Sequence, residues 1–484
     1  MKTKYDVAII GSGIGGLVCG CYLVNAGLKV LIVEKHNKPG GYCTSFKKGG
    51  FSFDVGVHYL GGIRKAVLGS ILRELELIDK IEFNQFDPTD KIIMPNNVSH
   101  IRANSQDTIE EFKKSFPNER GNIVRFFKFI MQKDPLLIYT KVKKLTFQDL
   151  LDNFFADYRL KATLGILLGN IGSSPKFAPA FISIIMFRQY ILDPGYYPSR
   201  GIQTFPDALV QYFKKKGGDL LLLRKVVKII TNNDRAEGII LEDGCAIKAD
   251  TVVSNVDATQ TFKELLKFET KESIAVEKLI PAPSLFLLYL GLNKKIKNSL
   301  NGPHNIWFFL DYDVDKIYSN IKENILKDDL PWIVCSFPSI HDKANNSDKL
   351  TAEILFYAPY ETEEFWNEYR NTLAEKMLCR MNKLIPGFDA SVELKFTATP
   401  FTFFKYTLNK NGSFVGWLPS VHQPRSSRLP QISSVKGLYL VGTWCTVGYP
   451  GQGGIPNVAA SGRRGAMLIL KNLGKDWTFS EIKL

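Results

Sequence analysis

The sequence predicts an α/β protein in which a discontinuous parallel-sheet domain is interleaved with an α+β domain. Three observations carry this. A strand, a glycine loop, a helix and a second strand follow one another at the N-terminus. A strand-rich stretch in the middle of the chain closes on Thr251-Val252-Val253-Ser254-Asn255. Near the C-terminus a buried strand precedes a glycine-rich loop and a helix. No fixed-period repeat or low-complexity linker divides the 484 residues, so the units are woven together and not strung in series. The expected boundaries are 1–75, 200–265 and 430–484 for the parallel-sheet domain, and 76–199 with 266–429 for the other.

Tyr5–Ile10 is a continuous apolar run of strand length, as a strand buried on both faces requires. Small residues from Leu17 to Ala26 suit a tightly packed helix, which Gly27 ends. Lys29–Val33 is a second buried strand, closed by Glu34. Residues 64–170 read as mainly helical, and 170–200, rich in proline, glycine and aromatics, gives no clear element. A helix after Gly201 leads to strands around 220–228, 236–241 and 246–253. Ser284–Leu292 opens a β-rich region, 361–384 is a helix, Leu438–Val441 a last buried strand, and Asn457–Leu470 a terminal helix.

Composition narrows the function classes. Hydrophobic residues at 45% and charged residues at 23% are ordinary for a globular chain and exclude disorder. The formal net charge of +14 comes without a Lys/Arg-only tract or a nucleic-acid motif. It reads as a solvated basic surface or as attraction to anionic lipid, with no nucleic-acid partner expected. The seven cysteines are scattered and form no CxxC or CxxH pair, so neither a disulfide framework nor a metal site is signalled. A reducing, cytoplasmic compartment is the expectation. No run approaches the roughly 20 apolar residues of a membrane-spanning helix.

The chemistry begins at Gly11-Ser12-Gly13-Ile14-Gly15-Gly16. This loop follows a strand and opens a helix. Gly11 permits the tight turn, Gly13 lets backbone approach a pyrophosphate, and Gly16 lets helix and strand pack closely. The helix N-terminus offers free N–H groups to phosphate. Glu34, about twenty residues beyond the loop and followed by Lys35, is placed to accept from ribose hydroxyls. Three further features select FAD over a nicotinamide cofactor. A glycine-rich excursion follows Glu34, through Pro39-Gly40-Gly41 to Phe53-Asp54-Val55-Gly56-Val57-His58. A strand carries Val226-Val227 after Gly217-Gly218. Gly437–Thr443 and Gly451–Asn457 then bring a second helix N-terminus to something electron-rich, as a reduced flavin is. No second glycine motif for a nicotinamide domain is visible.

These residues resemble the phytoene desaturase superfamily of FAD-dependent oxidoreductases, in its carotenoid isomerase and retinol saturase-like branch. The resemblance lies in Phe53-Asp54-Val55-Gly56-Val57-His58-Tyr59-Leu60-Gly61, in Ala249–Asp257, in Ala398-Thr399-Pro400-Phe401-Thr402 with Gly412–Trp417, and in Gly437–Ala466. It implies a glutathione-reductase-type, Rossmann-like FAD-binding domain with non-covalent FAD. It also implies an apolar tunnel for a polyene or isoprenoid substrate, and peripheral membrane contact. Carried onto this chain, Gly11, Gly13, Ile14, Gly15, Gly16, Glu34 and Lys35 would hold the ADP half. Gly40 and Gly41 would line the cofactor, and Val227 would meet the adenine through its backbone. Gly442 would abut the pyrophosphate or ribityl chain, and Gly453, Gly454, Ile455 and Pro456 the pyrimidine edge.

Within that frame the expected activity is that of a desaturase, isomerase or saturase acting on carbon–carbon bonds. An amine oxidase-like enzyme and a non-catalytic flavin-stabilised membrane binding protein are the alternatives. His58 is the catalytic candidate, because histidine suits proton work near neutrality. Its other reading is a loop-shaping residue. Tyr59, Phe414 and Trp417 are candidates for the tunnel wall, with core packing as the alternative. Cys43 and Cys445 read as small buried thiols. The apolar stretch within 160–197, interspersed with Lys161, Lys176 and Arg188, reads either as an interfacial membrane surface or as helical core.

Overall fold

The computed structural model describes residues 4–193, 195–300, 302–340, 349–423, 429–445 and 454–475. Its strands, in chain order, are β1 (Lys4–Ile10), β2 (Val30–Val33), β3 (Ser45–Lys48), β4 (Phe51–Asp54), β5 (Phe83–Gln85), β6 (Asp90–Met94), β7 (Asn97–Ile101), β8 (Tyr196–Pro198), β9 (Asp219–Leu221), β10 (Val226–Asn232), β11 (Arg235–Leu241), β12 (Ala246–Ser254), β13 (Ser284–Asn293), β14 (Asn305–Phe309), β15 (Trp332–Ser336), β16 (Lys349–Ala358), β17 (Val392–Ala398) and β18 (Leu438–Leu440).

They form two seven-stranded sheets and two short pairs. The first sheet runs β10-β11-β12-β1-β2-β9, with β18 also on β12. Its β18-β12-β1-β2-β9 part is parallel. The apolar runs Val7–Ile10 and Val30–Val33 are buried throughout, as a parallel sheet covered on both faces demands. Along one edge of β12, residues 246–248 pair with β11 and residues 252–254 with β18. Strands from the start, middle and end of the chain therefore meet in one sheet. The Ile14–Asn25 helix lies against the C-terminal helix Ile455–Asn472, where a Cβ on Gly462 would come within 2.3 Å of the Gly15 carbonyl. Only glycine allows that approach.

The second sheet runs β17-β13-β16-β15-β14-β6-β7. Residues 64–170 are mainly helical as expected, with one addition: between the Val67–Glu74 helix and the helices from Ser105 on, the β6–β7 hairpin joins this sheet through β14. Its sequence turns at Met94–Asn97 and alternates with period two, and β6 buries Asp90, Ile92 and Met94. The stretch without a clear element holds the Ala180–Tyr190 helix and β8. The 160–197 stretch is helical core: Leu164, Leu168, Ile184 and Phe187 are fully buried.

The β3–β4 hairpin bridges the two layers. Phe53 meets Phe396 of β17 edge-to-face at 5.0 Å. The Asp54 backbone N–H donates to Glu353 Oε1 of β16 at 3.0 Å, while Ser45 and Tyr197 donate to the Asp54 carboxylate. Burial pushes Asp54 up to about 7, against those hydrogen bonds. Burial, with the Asp54 charge behind it, holds Glu353 well above the usual carboxylate range.

Candidate active site

A cavity of about 870 Å³ opens between the two layers and draws its wall from both. One end is the glycine loop. Gly11, with φ +91°, sits in a backbone region that favours glycine, and a Cβ on Gly16 would stand 2.4 Å from the Gly11 carbonyl. Gly11, Gly13 and Ile14 line the cavity at the N-terminus of their helix. Gly15 and Gly16 lie behind, packed on Asn255. Hypothetical Cβ atoms on Gly15 and Gly442 would each fall 2.7 Å from Asn255 Oδ1, and one on Gly13 would fall 2.9 Å from its Nδ2. Asn255 also donates to the Gly11 carbonyl at 3.3 Å. One amide therefore organises glycines that lie more than 400 residues apart in sequence, from Gly11 to Gly442.

Glu34 reaches the cavity from the end of β2. Its Oε2 accepts from the Ser12 N–H and hydroxyl at 2.8 and 2.9 Å, and its Oε1 from the His36 N–H at 2.9 Å. The carboxylate is thus fixed in place. Lys35, Gly40 and Gly41 line the same end. Val227 does not: it points to solvent, and Val226 supplies the wall. The expectation for Val227 concerned its backbone; among the side chains of this strand it is Val226 that faces the cavity.

Beyond the glycines, Gly442, Gly454 and Ile455 line the cavity, and Pro456 lies buried in the first turn of the C-terminal helix, outside the wall. Gly453 lies outside the described residues. At the far end the wall turns aromatic, with Trp307, Trp332, Tyr357 and Phe414. Trp307 is held by its indole N–H, which donates to the buried Asp90 at 2.8 Å. Tyr59 joins the wall beside Tyr190, edge-to-face at 5.4 Å. Trp417 does not belong to the wall. It is 1% exposed, donates to the Trp444 carbonyl at 3.0 Å and packs on Trp444 at 4.8 Å, so it is core.

His58 lines the cavity, but both its ring nitrogens are buried with no hydrogen-bond partner among the described residues. Burial drops its pKa to about 4. The imidazole is therefore neutral at pH 7, which corrects the expectation of a group titrating near neutrality. Cys43 lines the cavity and Cys445 is buried away from it. Burial raises both thiols, Cys445 to about 12, and leaves them poor nucleophiles.

Asn255 and Tyr190 escaped sequence reasoning. Asn255 sits in a motif that was visible, but its role depends on Gly442 far along the chain. Tyr190 falls in the stretch without a clear element. Of the chamber aromatics, Phe414 was expected from its motif, whereas Trp307, Trp332 and Tyr357 lie on three separate strands and show no local signal.

The glycine-lined cradle, the fixed carboxylate and the adjoining aromatic chamber define a flavin-dependent redox enzyme. The chain belongs to the family of flavin-containing amine oxidoreductases, whose model matches residues 14–470. Among curated relatives it is 24% identical to the rat all-trans-retinol 13,14-reductase, covering 91% of this chain and 82% of that one. It is 28% identical to prolycopene isomerase 1 of an Oncidium hybrid cultivar, over 97% of this chain and 84% of that one. The fold is shared with solved structures. An oxidoreductase from Methanosarcina mazei superposes with a TM-score of 0.66 at 18% identity, over 97% of this chain and 100% of that one. A cyclohexylamine oxidase from Brevibacterium oxydans does so with a TM-score of 0.65 at 13% identity, over 97% and 100%.

Proposed function

We propose that this chain is an FAD-dependent desaturase, isomerase or saturase that acts on carbon–carbon bonds of a carotenoid-like polyene or similar isoprenoid. The observation that carries the reading is one cavity running from the glycine cradle into an aromatic chamber whose described wall holds no carboxylate. Among the described residues of the wall the single carboxylate is Glu34, which lies at the cradle and is already engaged by Ser12 and His36. A polyene needs only the apolar and π contact that such a wall offers along its length. The prolycopene isomerases and retinol reductases among the relatives favour the same reading.

FAD fits the residues present. The cradle's glycines leave room for a pyrophosphate at a helix N-terminus, and the Glu34 carboxylate, fixed at its rim, is an acceptor for ribose hydroxyls. The cavity's one thiol is held protonated by burial, which supports non-covalent binding. When bound, the flavin supplies a two-electron couple able to take or give a hydride. The protein positions the substrate between aromatic rings, excludes water, and offers His58 as a neutral hydrogen-bonding group in place of an acid. The two sheets divide the labour: the first carries the cofactor, the second walls the substrate chamber.

The test is the visible band of oxidised flavin in the purified, anaerobic protein, before and after a small panel of polyenes in detergent. Bleaching by a polyene establishes hydride flow from substrate and hence desaturation. No bleaching, with turnover only after chemical reduction of the flavin, selects the isomerase or saturase. Reduction by an alkylamine and by no polyene would overturn the reading.

Peripheral contact with a membrane is part of the same proposal. No helix among the described residues is long and apolar enough to span a bilayer. Met131, Leu136 and Leu137 are 45%, 57% and 44% exposed around the start of the Pro135–Val142 helix, and Lys128, Lys133, Lys141, Lys143 and Lys144 surround them in sequence. Apolar side chains amid lysines suit an anionic lipid surface.

A further inference from the structure

The phenols of the cavity wall are not equivalent. Tyr42 donates to the Ser413 carbonyl at 3.0 Å, Tyr59 to Asn170 Oδ1 at 3.4 Å, Tyr289 to the Val55 carbonyl at 2.9 Å and Tyr357 to the Gly169 carbonyl at 2.8 Å. Each of these buried phenols spends its proton on the protein, and Tyr406, a further phenol of the wall, is 63% exposed to solvent. Tyr190 is placed differently. It is the last residue of the Ala180–Tyr190 helix, lines the cavity and is 7% exposed. Its hydroxyl sits at the N-terminus of the C-terminal helix, beside Gly454 and the Ile455 backbone, and no described residue accepts a hydrogen bond from it.

Two features hold it there. A Cβ on Gly454 would stand 2.6 Å from the Tyr190 hydroxyl, so residue 454 leaves room for the phenol only as glycine. Gln189 donates to Asn457 Oδ1 at 3.0 Å, a second tie between the same two helix ends. A phenol held against the positive N-terminal end of a helix is polarised toward donating its own proton. Burial disfavours the phenolate, and the Ile455 N–H opposes that effect only in part, so the group stays a donor.

We propose that the Tyr190 hydroxyl donates a hydrogen bond to the electron-rich edge of the flavin lying against Gly454 and Ile455, and binds the reduced cofactor more tightly than the oxidised one. This rests on the reading of the cavity as an FAD site. Tyr190 is thus a tuning residue, supplied by a helix outside the first sheet to the cofactor held by that sheet.

The experiment is an anaerobic reductive titration of FAD-loaded full-length protein against a reference dye, parent beside Tyr190→Phe. The expected result is a preference for reduced over oxidised FAD that is about tenfold weaker, which is a potential about 30 mV more negative for a two-electron couple. Should the variant lose its flavin on purification, the dissociation constants of oxidised and reduced FAD, measured with cofactor in excess, give the same ratio. An unchanged ratio overturns the role of Tyr190. Failure of the parent protein to bind FAD at all would instead sink the reading of the cavity.

Discussion

Asn255 shows how much of the site rests on single atoms. Its amide is the surface on which Gly13, Gly15 and Gly442 close, and no side chain fits between them. Gly442 has φ +93°, so Gly442→Ala adds backbone strain of about 1–2 kcal/mol to a contact with Asn255 Oδ1. The amide has little freedom to retreat, because its Nδ2 is bonded to the Gly11 carbonyl. The expected outcome is a folded protein that retains flavin at least tenfold more weakly, read from the ratio of flavin to protein absorbance after gel filtration. Undiminished retention would show that the cradle relaxes more than its packing suggests. His58 teaches the converse. Its position in a glycine-flanked motif was legible, yet its protonation was not, since that depends on burial by residues remote in sequence.

At the scale of elements, local signals read well and long-range pairing did not. The β1–helix–β2 unit announces itself through apolar runs and glycine spacing, and its glycines lie where those signals put them. The β6–β7 hairpin was hidden because its membership of the second sheet is decided by β14, some 200 residues later. Val226 and Val227 show the finer limit: the strand was legible, and which face meets the cavity was not. Trp417 carries no mark in sequence that separates tunnel wall from core. The β4–β16 contact yields a prediction of its own. Asp54 and Glu353 both bind their protons more tightly folded than unfolded, so their contribution to stability is full below the ordinary carboxylate range. It is lost as pH rises through the raised values. Glu353→Gln removes one of these groups and its repulsion of the other. Its midpoint temperature relative to the parent should therefore rise between about pH 6 and about pH 9, as followed by thermal unfolding in matched buffers. A constant difference across that range would mean that the pair is not protonated in the fold.

For the whole molecule, the proposed membrane face makes the most exacting claim. Burying a leucine is worth about 1.5–3 kcal/mol, and each lysine near an anionic bilayer about 1 kcal/mol. Leu136→Ser with Leu137→Ser should weaken sedimentation with anionic vesicles at least tenfold, and added salt should weaken that of the parent. Equal binding by parent and variant would place the contact elsewhere. The sheet order has a separate consequence, for biosynthesis. β1 and β2 leave the ribosome early, but β18 and the C-terminal helix, which complete their layer, follow about 400 residues later. At roughly 5–20 residues per second that is a wait of about 20–80 s. Through that interval the Ile14–Asn25 helix displays the face that the C-terminal helix later covers, and the edge of β12 that β18 occupies stands open. The expected consequence is that the cradle, which needs Gly442 and the C-terminal helix, closes only after synthesis is nearly complete.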